Sequence, residues 1–179
     1  MPDASVTDAE LIDRWQRGDE SAAAELVRRH AGAVARFLGA AGGGEDVEDL
    51  VQEAFFRAFR GIAGFRGGAS FRTWVMTIAS NALKDARRRS RGREMLSLED
   101  RDLIDPAADP HGEAVSQNVM HRVQTELARL PRLQRDVFLL RAQQGLEYDD
   151  IARALGTTAG AARVHYHHAL QRLKRVAEA

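Results

Sequence analysis

The chain of 179 residues has no cysteine, so neither a disulfide framework nor a thiolate metal site can be built from it. No basic-then-apolar run opens it in the manner of a secretory signal, and no stretch approaches the roughly 20 apolar residues of a membrane span. A cytoplasmic protein with no membrane insertion is expected. Few β-branched runs occur, no glycine-rich phosphate loop follows a strand pattern, and no Ser/His/Asp grouping stands in a supporting motif. An α/β enzyme is thereby disfavoured, and neither bond chemistry nor a cofactor is expected.

A formal net charge of zero would speak against a polyanionic partner, but the average hides blocks. Residues 1–56 hold 5 basic and 12 acidic side chains, and residues 57–93 hold 10 and 1. Residues 94–113 hold 1 and 7, and residues 114–179 hold 10 and 6. Two basic blocks separated by acidic ones point to two places that meet phosphate, with other surfaces left for other partners.

The second basic block carries the plainest pattern, over residues 145–175. Tyr148, Ile151, Ala152 and Leu155 recur at helical spacing, and Gly156 supplies a left-handed stop. Thr157 and Thr158 offer a cap for a following helix over residues 159–176. Two helices across so tight a turn read as a helix-turn-helix. On the second helix Ala162, Tyr166, Ala169, Leu173 and Val176 share the packed face. The opposite face shows Arg163, Val164, His167, Gln171 and Lys174, flanked by His168 and Arg175, with no acidic residue among them. Such a face offers donors for phosphates and base edges, and an apolar atom for a thymine methyl. A basic solvated helix ending a bundle would show the same spacing. His165 and His168 stand three apart, but without a third ligand no metal site is expected.

Nearer the amino terminus, Thr7 and Glu10 form a capping-box pattern ahead of Leu11, Ile12 and Trp15. Asp19 opens a second helix in which His30 reads as a packed or snorkelling histidine rather than a ligand, and residues 39–44 read as a loop. Asp46 is expected to cap a third helix with Val47, Leu50, Val51, Ala54, Phe55 and Ala58 inward. Asp49, Gln52, Glu53, Phe56 and Arg60 share another of its faces, where Phe56 is either the edge of a wide core stripe or an anchor for a protein partner. A loop over residues 61–68 holds Phe65 and Arg66, and Ser70 caps a long helix. Its polar stripe of Thr73, Thr77, Asn81, Lys84 and Arg88 becomes more basic towards its end. An aromatic loop beside such a stripe suits single-stranded nucleic acid, whereas Phe65 as a plug under the loop is the structural alternative. Periodicity fails from residue 90 to 112, a stretch with two prolines that reads as a linker. Beyond it come a helix ending at Pro131 and another through Leu133, Val137, Phe138 and Leu140.

The stretches EDLVQEAFFRAFR and FRGGASFRTWVMTIASNALKDARRR resemble the second domain of bacterial sigma-70-type sigma factors. LPRLQRDVFLLRAQQGLEYDDIARALG, followed by GAARVHYHHAL, resembles their fourth domain. The order and the short length are similar to the extracytoplasmic-function group. The resemblance implies an all-α protein of two small helical domains joined by a flexible linker. Residues 1–90 would be domain two, 91–113 the linker and 114–179 domain four. It also implies core RNA polymerase, promoter DNA and an anti-sigma factor as partners, and promoter recognition and melting as the function.

Carried over by that resemblance, Asp49, Leu50, Gln52, Glu53 and Phe56 would face polymerase. Phe65 and Asn81 would line a pocket for a base flipped from the minus-ten strand, with Arg66, Trp74, Lys84 and Arg88 nearby. Arg163, Val164, His167, His168 and Lys174 would meet the minus-thirty-five element. The chain departs from the family at Gly68, where many members are acidic, and at Ala162, Val164 and His165, where Val, Ser and Arg are common. Two rival readings are a stand-alone helix-turn-helix regulator and a helical adaptor. Two separate nucleic-acid surfaces and the lack of a ligand-pocket signature weigh against the first.

Overall fold

A computed structural model describes residues 6–65, 67–96 and 115–178. Eight α-helices and no strand occur among them. In chain order they are α1 (Asp8–Gln16), α2 (Glu20–Ala41), α3 (Val47–Gly61) and α4 (Phe71–Leu96), then α5 (Val115–Arg129), α6 (Arg132–Phe138), α7 (Tyr148–Leu155) and α8 (Ala159–Glu178). No helix among the described residues is long and apolar enough to cross a membrane.

Local chemistry starts and stops these helices. Thr7 and Glu10 close the capping box on α1, and the Asp19 carboxylate accepts from the Ser21 amide at 3.0 Å to open α2. Ser70 Oγ accepts from the Thr73 amide at 3.1 Å at the head of α4. Three sequence expectations need correction. Residues 39–41 continue α2, which stops only at Gly42 with φ +96°. Asp46 makes no side-chain cap; it ends a 3₁₀ turn, Gly44–Asp46, that leads into α3. The long helix does not stop near residue 90 but runs on to Leu96. The remaining linker residues, 97–113, lie outside those described.

In domain two, α2 packs on α3 and α4, α3 lies along α4, and α1 covers α2. Phe37, Leu38, Phe55, Phe71, Val75 and Met76 are buried where these helices meet. His30 is packed as expected: its Nε2 lies 2.7 Å from Asp8 Oδ2, and its ring sits 5.3 Å from that of Phe71. In domain four, α5 and α6 pack on α8, and α7 closes the helix-turn-helix against it. A single π turn, Leu139–Gln143, follows α6 and buries Leu139 and Leu140.

The two domains do not stand apart. Helix α7 packs on α4, and the π turn packs on α2. Val137, Leu139, Leu140, Ile151 and Ala154 join the same apolar core as the domain-two residues. Arg72 donates to Gln144 Oε1 at 2.8 Å across the junction, and Arg87 lies 3.7 Å from Asp136.

Asp136 sits uneasily in that junction. Burial raises its carboxyl above the ordinary aspartate value, against the pull of Arg87, Arg135 and Arg132. Its Oδ1 finds no hydrogen-bond partner among the described residues. A carboxyl with a folded pKa above its unfolded one opposes folding at neutral pH, and the cost fades as pH falls through the folded value. Asp136→Asn is therefore expected to raise the melting temperature at pH 7, with a gain that shrinks in acid. Thermal melts across pH test this; a lower melting temperature at pH 7 would mean that the Arg87 pair outweighs burial.

Candidate nucleic-acid interface

Helix α3 turns one face outward. Asp49 and Gln52 are exposed, and Phe56 is 57% exposed, which decides against its being core. The Arg60 guanidinium lies 5.5 Å from its ring centroid. Leu50 is buried at 5% exposure and lies beneath this face, at the base of a hollow that Asp46, Asp49 and Glu53 also line. Glu53 is held by Arg57 Nε at 2.6 Å, and Arg57 Nη1 also donates to Asp85 of α4 at 2.9 Å. Hydrogen bonding from Arg57 holds the Asp85 carboxyl below its ordinary range.

A second region begins at the loop before α4. Gly67, at φ +70°, gives the left-handed turn that a side-chain-bearing residue resists. Phe65 is half-buried, its ring 5.1 Å from Trp74 and 6.3 Å from Phe71. Phe65 is thus packed, as its reading as a plug has it, and also lines an open hollow with Trp74, Thr73 and Thr77. Asn81, Lys84 and Arg88 are exposed on later turns of the same stripe, beyond that hollow. Arg66 lies outside the described residues. Asp150 and Arg153 of α7, paired with each other, form the far wall of the hollow. Sequence periodicity gave no sign of them, because it says nothing about which domain meets which.

The third region is the outer face of α8. Gly156, at φ +69°, turns the chain, and Thr158 Oγ1 accepts from the Ala161 amide at 3.1 Å. Val164 is 52% exposed, and His167, His168 and Lys174 are exposed along the same side. His165 turns inward, its Nδ1 buried with no hydrogen-bond partner among the described residues. Arg163 is exposed, its guanidinium 5.1 Å from the Tyr148 ring, while Arg141 lies 5.0 Å from the same ring. A cation over an aromatic face loses some of its freedom to reorient. Tyr148 and Arg141 were missed as parts of this face, since Tyr148 reads only as a member of the α7 apolar stripe.

The family model described as Sigma-70 region 2 matches residues 26–93, and that described as Sigma-70, region 4 matches residues 120–173. The chain is 33% identical over 167 residues to the ECF RNA polymerase sigma-E factor of Haemophilus influenzae, covering 88% of each chain. The chain belongs to the sigma-70 family, in its extracytoplasmic-function group. This sigma factor is also 36% identical over 154 residues to the ECF sigma factor SigE of Mycolicibacterium smegmatis, covering 84% of this chain and 59% of that one. Among solved structures it resembles CnrH in complex with the cytosolic domain of CnrY, at 25% identity and TM-score 0.67, covering 96% of this chain and 97% of that one. It shares the fold of the Bartonella quintana sigma factor RpoE, solved with the anti-sigma factor NepR, at 24% identity, TM-score 0.69 and coverage of 86% and 95%.

Sigma factors carry no enzymatic activity; they bind core RNA polymerase, recognise promoter DNA and support its melting, and the stand-alone regulator is not favoured. The cap on α8 has a measurable share in this site's stability. Thr158→Ala removes the acceptor for the Ala161 amide and is expected to lower unfolding free energy by about 1 kcal/mol. Urea denaturation of the full chain checks this, and an unchanged midpoint would mean that solvent caps the helix as well.

Proposed function

We propose that this sigma factor divides promoter opening among its three faces. The outward side of α3 docks on core polymerase through Phe56, with Asp49, Gln52 and Glu53 around it. The single observation that carries this is the exposure of Phe56 at 57%, on a helix whose other large apolar residues are covered. The Phe65–Trp74 hollow and the stripe running through Asn81, Lys84 and Arg88 receive the separated minus-ten strand. Arg163, Val164, His167 and His168 enter the major groove of the minus-thirty-five element, with Lys174 towards phosphate. The work is done in the cytoplasm, where polymerase and promoter are. An anti-sigma partner holds the protein inactive; CnrH, solved with a cytosolic domain of another protein, supports such a partner.

Phe56→Ala is expected to weaken co-elution with core polymerase by on the order of 2 kcal/mol while helicity is unchanged. Co-elution at wild-type strength, near the dissociation constant, would remove α3 from the interface. For DNA, Arg163→Ala in reconstituted holoenzyme should cost about 1–3 kcal/mol in binding to duplex carrying the upstream element. Asn81→Ala should leave that affinity nearly intact and instead suppress permanganate reactivity of the melted region. Loss of melting in the first variant without loss of duplex affinity, or normal melting in the second, would contradict the division.

A further inference from the structure

Of the guanidinium and ammonium groups on the outer face of α8, among the described residues, only that of Arg163 is set against a ring. Tyr148 opens α7 and Arg163 lies early in α8, and the tight turn at Gly156 brings the guanidinium to 5.1 Å from the ring centroid. Arg163 makes no hydrogen bond or ion pair among the described residues. A contact with a ring face consumes no N–H donor, so all the donors of the fork remain for a ligand.

Tyr148 is itself held from behind. Its ring meets that of Tyr166 edge-on at 6.2 Å, and Tyr166 stacks on Phe138 at 5.9 Å. Phe138 in turn packs on Leu130, Ala169 and Leu173. Arg141 lies 5.0 Å from the same Tyr148 ring, but its Nη1 donates to Leu146 O at 2.8 Å and to Glu147 Oε1 at 2.9 Å. Arg141 therefore belongs to the scaffold around the ring, whereas Arg163 keeps its donors for DNA.

An arginine on a long flexible stem meets a phosphate as readily as a base, and only the base contact carries sequence. The contact that asks most of geometry is the bidentate one, two N–H groups at once on O6 and N7 of a guanine. A side chain already held over a fixed ring gives up less freedom in reaching it. We propose that Tyr148 is a positioning residue for Arg163: its ring aims the guanidinium at O6 and N7 of one guanine in the upstream element. This rests on the assignment of the outer face of α8 to that element. Base choice at one position then depends on a residue of α7 that touches no base, and the ring, not the hydroxyl, is the part required.

Holoenzyme reconstituted from core polymerase and the full chain, offered duplexes with a randomised upstream element, tests this when the bound fraction is sequenced. Wild type should favour guanine at one position, and Arg163→Ala should relax that position alone. Tyr148→Leu, with Arg163 intact, should relax the same position by about three- to fivefold, the scale of one exposed cation–ring contact, and leave the other positions unchanged. Tyr148→Phe should keep the wild-type preference. Putting 7-deazaguanine, which lacks the N7 acceptor, at that position should weaken binding by wild type and not by Arg163→Ala. A tyrosine with a structural role only would lower affinity for every sequence alike. That result, an unchanged preference in Tyr148→Leu, or equal relaxation in Tyr148→Phe would each overturn the proposal. A second measurement does not depend on the leucine variant folding: the Arg163 Cδ protons of the free protein should show an upfield ring-current shift in wild type and in Tyr148→Phe. Resonances at ordinary arginine positions would overturn the proposal as well. If Arg163→Ala relaxes no position, the assignment of α8 falls and positioning falls with it. If it relaxes one that Tyr148→Leu leaves intact, positioning alone falls.

Discussion

Helix α4 has to satisfy three neighbours with one cylinder, and most of the molecule follows from how its surface is shared out. Phe71, Val75, Met76, Ala79 and Leu83 are buried among the helices it packs against. The side bearing Asp85 takes the cation of Arg57 from α3. What remains is the polar stripe, and its first turns lie against the hollow shared with α7. A single helix that commits so many faces cannot adjust them one at a time. Any change in what α4 touches on one side is felt on the others.

The parts of the fold that were legible in the sequence are those that depend on a helix and its own period. Thr7 with Glu10, Asp19, Ser70, Thr158 and Gly156 act where their chemistry says they should, because a cap is satisfied within one turn. Asp46 shows the limit: the residue type is right, but a 3₁₀ turn carries the chain into α3 without its side chain. Residues 39–41 look like loop by composition, yet alanines and a glycine extend α2 until a left-handed residue is reached. Local propensity is a weak prior, and tertiary packing overrides it.

The functional faces were legible in proportion to how much of each belongs to one helix. The outer face of α8, proposed for the upstream element, is nearly all there, since a face carried by one helix is a period and a charge pattern. On α3 the period already set Leu50 inward and Phe56 on another face; the family resemblance put both at the candidate contact, and burial separates them as the period does, at 5% and 57% exposure. The hollow at Phe65 was half legible. Its domain-two side comes from one loop and one helix, and its other wall comes from Asp150 and Arg153, far along the chain on α7. No periodicity encodes a meeting of that kind.

Arg57 bridges Glu53, one turn earlier on α3, to Asp85 on α4. One cation shared by two carboxylates on different helices behaves as a strut. It adds to the apolar packing that holds α3 against α4, the helix that carries Asn81 and Lys84. The face of α3 proposed for polymerase and the stripe of α4 proposed for the separated strand thus belong to two helices tied side chain to side chain, and neither face can be placed without the other.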